Sequence, residues 1–555
     1  MTPLHRSFVL SAVERYANIV ILFFTTAALA RLLSPEEFGV YAVVGAVTTV
    51  IALTTHEFGG ANNIIQKAEL SDLYVRTAFT VTFALSIAMG LGLYLMADAI
   101  GGWFKVEGVG AGVKIAALGF AVTPFSTIAL ALFRRDLMFG VIAVGNFVGS
   151  VAFAATSVVL ALKGYSYLAP VWGQIAGSAA QALYFIWARR SLRIFAPSLE
   201  GHREVIHFGL YSSGLALINM VFNTAPQFLL ARILGFGAVG LYSRAVTITQ
   251  LFDRLVGQAI GPAVMPAVAS QTRAGEDLKL IYLKSIALMS ALQWPFLLSV
   301  AILARPLIEL WLGPTWLDAA PLVGWLSAGS LALFAGYLTY PILVAAGHVR
   351  DALTSALISL PPSLMVMFAS SFFGIEAVAA STLLTMPFQA AVSMFFICRR
   401  LDVEVAEIAR ALRKSALVAT ACGCAAAVGA AALQAGWLGP LASLAVGGVL
   451  VAFAWLAALA ATDHPLLTEV VAACGGSIPS FGRAAASAPA PVVRPQRDKA
   501  EAGGPGMSKE TDVNSAATRG SLTPTTSEPK IISLAEACRT PRPSSGAFNT
   551  GERRG

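Results

Sequence analysis

The sequence predicts an all-α, polytopic membrane protein with about 14 transmembrane helices, arranged as two lobes that repeat one another in parallel. Three observations carry this. Of its 555 residues, 57% are hydrophobic and only 12% are charged, where soluble domains carry about a quarter charged residues. Apolar runs long enough to cross about 30 Å of hydrocarbon recur at short intervals. And one phrase is written twice: ARLLSPEEFGVYAV at 30–43 and ARILGFGAVGLYSR at 231–244, an offset of 231 − 30 = 201.

The runs fall near 8–30, 38–60, 74–96, 110–133, 138–162, 166–188, 206–231, 238–264, 279–304, 319–345, 352–373, 375–397, 414–434 and 437–461. Only helices and closed barrels satisfy their backbone in lipid. Barrel strands are about 10 residues long and alternate in polarity, so these runs are helices. The first ends in no small-residue cleavage site and reads as a retained span. The pairs 352–373/375–397 and 414–434/437–461 are joined by turns of a few residues.

The repeat orders the elements. Each copy of the phrase joins two spans, the first to the second and the seventh to the eighth. The same offset pairs Ser11 with Ser212, Asn18 with Asn219 and Thr48 with Thr249. An even number of spans per repeat makes the repeats parallel, related by an axis along the membrane normal. The resulting boundaries are 1–188 for the N-terminal lobe, 189–205 for an inner linker and 206–397 for the C-terminal lobe. An extra helix pair occupies 398–461. From about 462 the chain turns rich in Ala, Pro, Ser, Gly and Thr. That composition cannot bury a core, so 462–555 reads as a disordered cytoplasmic tail.

Charge sets the orientation. With both termini inside, inner segments hold eighteen Lys and Arg, among them Arg134, Arg135, Arg189, Arg190, Arg399 and Arg400. The outer segments hold six: Arg31, Lys105, Lys114, Lys163, Arg232 and Arg305. This is the asymmetry of the positive-inside rule. The net charge of +8 is therefore topological, not a nucleic-acid footprint.

Charges inside spans are costly and usually face a cavity or a partner. Glu14 and Arg15 lie in span one, Glu57 (beside His56) in span two, and Arg244, Asp253 and Arg254 in span eight. Adjacent helical residues point about 100° apart, so one member of each adjacent pair is expected to face a cavity and the other to hold it by charge. The guanidinium fork suits phosphate oxygens. Arg15, Arg254 and Arg244 are therefore the candidate substrate residues for a pyrophosphate-bearing ligand. Glu14, Glu57 and Asp253 are candidates for ion coupling or charge pairing. Arg31 and Arg232 read as outer-rim anchors, and PLIELWLGPTW at 306–316 as interfacial aromatics and turns.

Other chemistry is missing. The sequence has no Walker A motif and no H-E-x-x-H, its six His are scattered, and its five Cys show no metal-ligand or disulfide pattern. No cofactor, metal or enzymatic activity is expected.

Several stretches resemble the polysaccharide transporter (Wzx-like) family of bacterial flippases, within the multidrug/oligosaccharidyl-lipid/polysaccharide exporter superfamily. Arg31, Leu33, Pro35, Phe38, Gly39 and Tyr41 match its R-x-L-x-P-x-x-F-G-x-Y pattern. Glu57, Gly59, Ile65, Gln66 and Lys67 match the end of its second span. Arg135, Leu137 and Phe139 match its Q-R-x-L-x-F pattern, with Arg134 in place of Gln. The resemblance covers about residues 5–460. It implies a V-shaped bundle with a cationic central cavity, in the bacterial inner membrane. It also implies flipping of undecaprenyl-pyrophosphate-linked oligosaccharide for exopolysaccharide, capsule or O-antigen, among membrane lipids, with polymerase and co-polymerase proteins as candidate partners. Related lipid II flippases use Arg on spans one, two and eight, whereas span two here offers Glu57. Two rival readings are a cation-coupled multidrug exporter, which wants an acidic cavity, and a membrane polymerase or ligase, which wants a long polar outer loop.

Overall fold

The computed structural model describes residues 3–58, 64–65, 70–200, 202–203, 220, 222, 224–257, 277–345 and 348–473. By internal contacts the chain divides into Met1–Pro479 and Ser480–Gly555, and every described residue lies in the first unit. The described residues are helical, with no strand among them.

The helices before the middle of the chain are α1 (Pro3–Leu32), α2 (Pro35–Phe58), α3 (Asp72–Phe104), α4 (Glu107–Leu118), α5 (Thr123–Arg135), α6 (Phe139–Leu162) and α7 (Leu168–Arg189). After a helical run at 224–233 come α8 (Phe236–Thr249), a π-helical turn at Asp253–Gly257, α9 (Leu278–Ile302), α10 (Ala304–Trp311), α11 (Ala319–Ser330) and α12 (Gly336–Ala345). The chain continues as α13 (Val349–Ser371), α14 (Ile375–Leu401), α15 (Val405–Gln434), α16 (Pro440–Ala461) and α17 (Pro465–Ala473).

Eight of these, α1, α3, α6, α9, α13, α14, α15 and α16, are long and apolar enough to cross a bilayer, and α4 with α5 makes a ninth if read as one bent span. The expected span 206–231 falls largely outside the described residues, and 238–264 is described as far as residue 257. Two expected single spans are broken. The run 110–133 bends by 45° between α4 and α5, where Pro124 near the start of α5 lacks the amide hydrogen needed to continue the ladder. The run 319–345 passes through a 3-10 segment at Leu331–Ala335. There the indole Nε1 of Trp294 donates to Leu331 O at 2.8 Å, satisfying a carbonyl that the tighter turn releases. The region expected to be tail from 462 begins instead with α17. Its start is fixed by His464, whose Nδ1 accepts from Leu466 N at 3.1 Å.

Local sequence sets the helix starts. Ser34 and Glu37 form a capping box ahead of α2: Ser34 N donates to Glu37 Oε2 at 2.7 Å and Glu37 N to Ser34 Oγ at 3.2 Å, with Pro35 at the first helical position. The second copy of the phrase replaces Ser34 by Gly235, which enters α8 at φ +86°, a conformation that favours glycine. The same phrase thus starts α2 by a side-chain cap and α8 by a backbone turn.

Among the packed pairs are α1 with α6, α6 with α7, α2 with α8, α9 with α15, and α13 with α14. The largest apolar cluster lies where α2 crosses α8 and joins both parts of the chain: Leu29, Phe38 and Val43 with Val239, Ile248, Trp316 and Leu322. We call this crossing the seam. Trp311 and Trp316 are buried in it, in contrast to the exposed interfacial aromatics expected of 306–316. Their indoles donate to Phe23 O at 3.0 Å and Ala30 O at 2.7 Å. Arg31, expected as a rim anchor, donates from Nη2 to Leu310 O at 3.0 Å.

Candidate functional site

A cleft of about 410 Å³ opens between α1, α6 and the turn that follows α8. It is lined by Glu14, Arg15, Asn18, Ile19, Leu22, Asn146, Gln250, Asp253 and Arg254. On α1 the residues recur at helical spacing: Glu14, Asn18 and Leu22 are four apart, with Arg15 and Ile19 beside them. Gln250, Asp253 and Arg254 come from the other side. Four of the six residues singled out by the sequence therefore meet in one place.

Both members of each adjacent pair line the cleft, which corrects the expectation that only one could. On α1 the cleft is broad enough to span neighbouring positions. Asp253 and Arg254 begin a π-helical turn, whose wider winding brings consecutive side chains closer in direction than an α-helix does.

The Glu14 carboxylate is held by amides. Asn18 Nδ2 donates to Glu14 Oε1 at 2.5 Å, and Asn146 on α6 lies against the same carboxylate. Asn146 is oriented in turn by Gln181 Nε2, which donates to Asn146 Oδ1 at 2.8 Å. Because the carboxylate can only accept while ionised, the Asn18 atom facing it is the NH₂ group. Its Oδ1 is buried with no protein partner and adds an acceptor beside the guanidinium groups. The cleft thus presents two guanidinium groups, two carboxylates and several amides over an apolar wall of Ile19 and Leu22, an arrangement that can hold an anionic and hydroxyl-bearing ligand at once.

Arg244 is not among the lining residues. Its guanidinium carbon sits 4.3 Å from the Phe38 ring centroid, a cation–π contact, and its Nε is buried without a hydrogen-bond partner. The cause is distance along the helix: Arg244 precedes Arg254 by ten residues, about 15 Å of rise, which carries it to the seam. Glu57 and His56 close α2, and their side chains lie outside the described residues. Asn18, Asn146, Gln181 and Gln250 were missed by the sequence reading, which looked for formal charge. The available signal was the same, since a polar amide within an apolar run also needs a partner.

A family model described as "Polysaccharide biosynthesis protein" matches residues 28–321, more than half of the chain. The chain belongs to this family. The match to the polysaccharide biosynthesis family includes the first copy of the phrase, the seam and the Asp253–Arg254 side of the cleft. Among curated relatives, "Lipopolysaccharide biosynthesis protein WzxC" of Escherichia coli (strain K12) is 26% identical over 325 residues, covering 58% of this chain and 65% of that protein. "Succinoglycan biosynthesis transport protein ExoT" of Rhizobium meliloti (strain 1021) is 25% identical over 337 residues, covering 59% of this chain and 65% of that one. The chain thus spans about two thirds of the length of these relatives. Among solved structures, "Lipid II flippase MurJ, inward closed conformation" is similar with a TM-score of 0.64 at 11% identity, over 80% of this chain and 98% of that one. At that identity the likeness is one of fold: the all-α polytopic architecture expected from the sequence.

Proposed function

We propose that this protein is a flippase for undecaprenyl-pyrophosphate-linked oligosaccharide, moving it across the bacterial inner membrane for exopolysaccharide, capsule or O-antigen synthesis. The observation that carries the reading is that Arg15 and Arg254, from the two copies of the repeat, line one cleft beside α1 and α6, two helices of spanning length. Charge-assisted bonds from paired guanidinium groups match the oxygens of a pyrophosphate. The carboxylates and the free Asn18 oxygen match sugar hydroxyls. The names of the two relatives support the pathway.

On this reading residues 1–188 and 206–397 are the two lobes, 398–461 an added pair and 462–555 largely a cytoplasmic tail. Both termini face the cytoplasm, so the cleft opens on the inner side and the seam lies outside. The lipid tail stays in the bilayer, no bond of the substrate is made or broken, and a polymerase and co-polymerase receive the product. Glu14 and Asp253 are the cleft carboxylates that would serve a coupling cation, and Glu57 stays a third candidate from the sequence alone. These two acids also favour a second reading, cation-coupled export of a cationic drug; Arg15 and Arg254 in the same space oppose it.

The test is polysaccharide export by Arg15→Ala and Arg254→Ala at equal membrane abundance. Each is expected to lower export at least tenfold, with Lys restoring part of it at either position. Wild-type export by both Ala variants would overturn the assignment, and increased resistance to cationic drugs on overexpression would favour the second reading.

A further inference from the structure

Gln181 lies on α7, outside the lining of the cleft, and reaches it through one other side chain. Its Nε2 donates to Asn146 Oδ1 at 2.8 Å, and Asn146 lies against the Glu14 carboxylate. Two glycine contacts between α6 and α7 bracket the pair. An ideal Cβ on Gly145 would lie 2.1 Å from Phe185 Cε1, and one on Gly177 would lie 2.8 Å from Gly149 O. Both are closer than a real Cβ comes, so the glycines let the helices meet on either side of the pair. Phe185 is fully buried, and Gln181 stands one turn from it and one turn from Gly177. The closeness of α6 and α7 thus fixes where the Gln181 amide can reach.

The sense of the hydrogen bonds follows from Glu14. An ionised carboxylate only accepts, whereas an amide has one accepting and one donating end. Asn146 turns its NH₂ to Glu14, which leaves its Oδ1 facing α7, and Gln181 must donate there. Asn18 gives its NH₂ to Glu14 Oε1 at 2.5 Å, and its own Oδ1 is left buried without a protein partner. The corner formed by Glu14 and Asn18 therefore offers a ligand only acceptors. Arg15 and Arg254, in the same cleft, offer only donors. The cleft is sorted by hydrogen-bond sense.

We propose that Gln181 is a positioning residue for the sugar end of the ligand: it keeps the Glu14–Asn18 corner accepting, and so makes the cleft prefer a carrier pyrophosphate that bears a sugar over the bare carrier. A sugar hydroxyl donates to Asn18 Oδ1 or to Glu14 while the guanidinium groups hold the phosphates. The bare carrier ends in phosphate oxygens, which accept and carry charge. It would leave Asn18 Oδ1 unpaired and set an anion against Glu14. A site with buried polar groups discriminates strongly against a ligand that cannot pair them. Gln181 touches no ligand. It denies Asn146 the opposite orientation, in which Oδ1 would face Glu14. The inference rests on the transport reading given above and deepens it by naming what the acid-and-amide side of the cleft reads.

The test is equilibrium binding of two probes to the full-length protein in nanodiscs: undecaprenyl pyrophosphate, and the same lipid carrying one glucose. The wild type should bind the glucose-bearing lipid at least tenfold more tightly. Gln181→Leu should weaken that binding at least fivefold and change binding of the bare lipid less than twofold. Gln181→Glu, close in shape but only accepting when ionised, should draw the Asn146 NH₂ away from Glu14, lose the same preference and melt at a lower temperature. Adding Glu14→Gln to Gln181→Glu lets the chain of amides run in the opposite sense. That double variant should recover the melting temperature and not the preference, which separates positioning from mere support of the fold. Equal binding of the two probes by the wild type overturns the inference. So does an equal loss of both probes in the Gln181 variants, or a preference that returns with the melting temperature. Binding of neither probe by the wild type refutes the transport reading, and the inference with it.

Discussion

Trp316 offers the sharpest measure of how much the seam contributes to stability. It has no exposed surface, touches the Phe38 ring edge-on at 5.4 Å between centroids, and donates from Nε1 to Ala30 O at 2.7 Å. Trp316→Phe keeps an aromatic ring but removes the donor. Ala30 O lies in the last turn of α1, so it then has no partner in a dry environment. A lost net hydrogen bond of about 0.5–1.5 kcal/mol, rising toward about 3 where the acceptor stays buried, sets the expected loss at roughly 1–3 kcal/mol. Trp316→Ala also removes the ring and leaves a cavity, for about 3–5 kcal/mol. The control is Trp437→Phe, at a residue 81% exposed, which should be near neutral. The assay is thermal unfolding of the purified protein in one detergent, with all variants at one concentration. The expected order of stability is wild type and Trp437→Phe together, then Trp316→Phe, then Trp316→Ala. If Trp316→Phe unfolds with the control, the indole bond does not hold the seam.

Two further outcomes follow from single contacts. His464 lies past the last spanning helix. Its burial lowers its pKa, and the nearby Lys414 charge adds to this. A base whose folded pKa is depressed stabilises fully above its unfolded pKa of about 6.5 and loses that stability as pH falls toward the folded value. Protonation also ends acceptance from Leu466 N, so protection of the amides in 466–471, taken relative to their intrinsic exchange rates, should fall as pH drops through the lowered His464 pKa, and protection unchanged from neutral pH into the acid range where the segment unfolds would contradict it. In the cleft, Asn146→Asp places a second carboxylate against Glu14, whereas Asn146→Ala only removes an amide. At neutral pH the Asp variant should export at least threefold less than the Ala variant, and the reverse order would refute the placement of Asn146 against that carboxylate.

The sequence made the class of the protein plain because bilayer thickness imposes a length and a polarity that composition cannot hide. It also exposed the halves of the cleft, since Glu14, Arg15, Asp253 and Arg254 are expensive in apolar runs and cost is a local property. What it hid depends on tertiary contact. Arg244 has the same local signature as Arg254, and only the crossing of α2 over α8 separates a ring-stacked cation from a cleft residue. Trp311 and Trp316 sit in a stretch with the composition of an interfacial belt, and nothing local shows that α1 offers them carbonyls. The breaks at Pro124 and at Leu331–Ala335 fall in runs whose hydropathy is continuous, because hydropathy does not register where a backbone changes its winding.

The repeated phrase gains its meaning from where the copies agree and where they differ. They agree at Gly39 and Gly240, where a shared contact demands the same residue on both sides, since a side chain on either would force the helices apart. They differ at Pro35 and Phe236, which give only a carbonyl to that contact. They differ again at Phe38 and Val239, and at Val43 and Arg244, so the ring-stacked cation occurs on one side only. Deeper along the same helices the copies diverge at most of the residues that line the cleft, Asn18, matched by Asn219, being the exception. A two-fold seam needs matched halves, and a cleft for an asymmetric ligand such as a sugar joined to a lipid phosphate needs unmatched ones. The division between matched and unmatched positions therefore follows the division between holding the halves together and binding what passes between them.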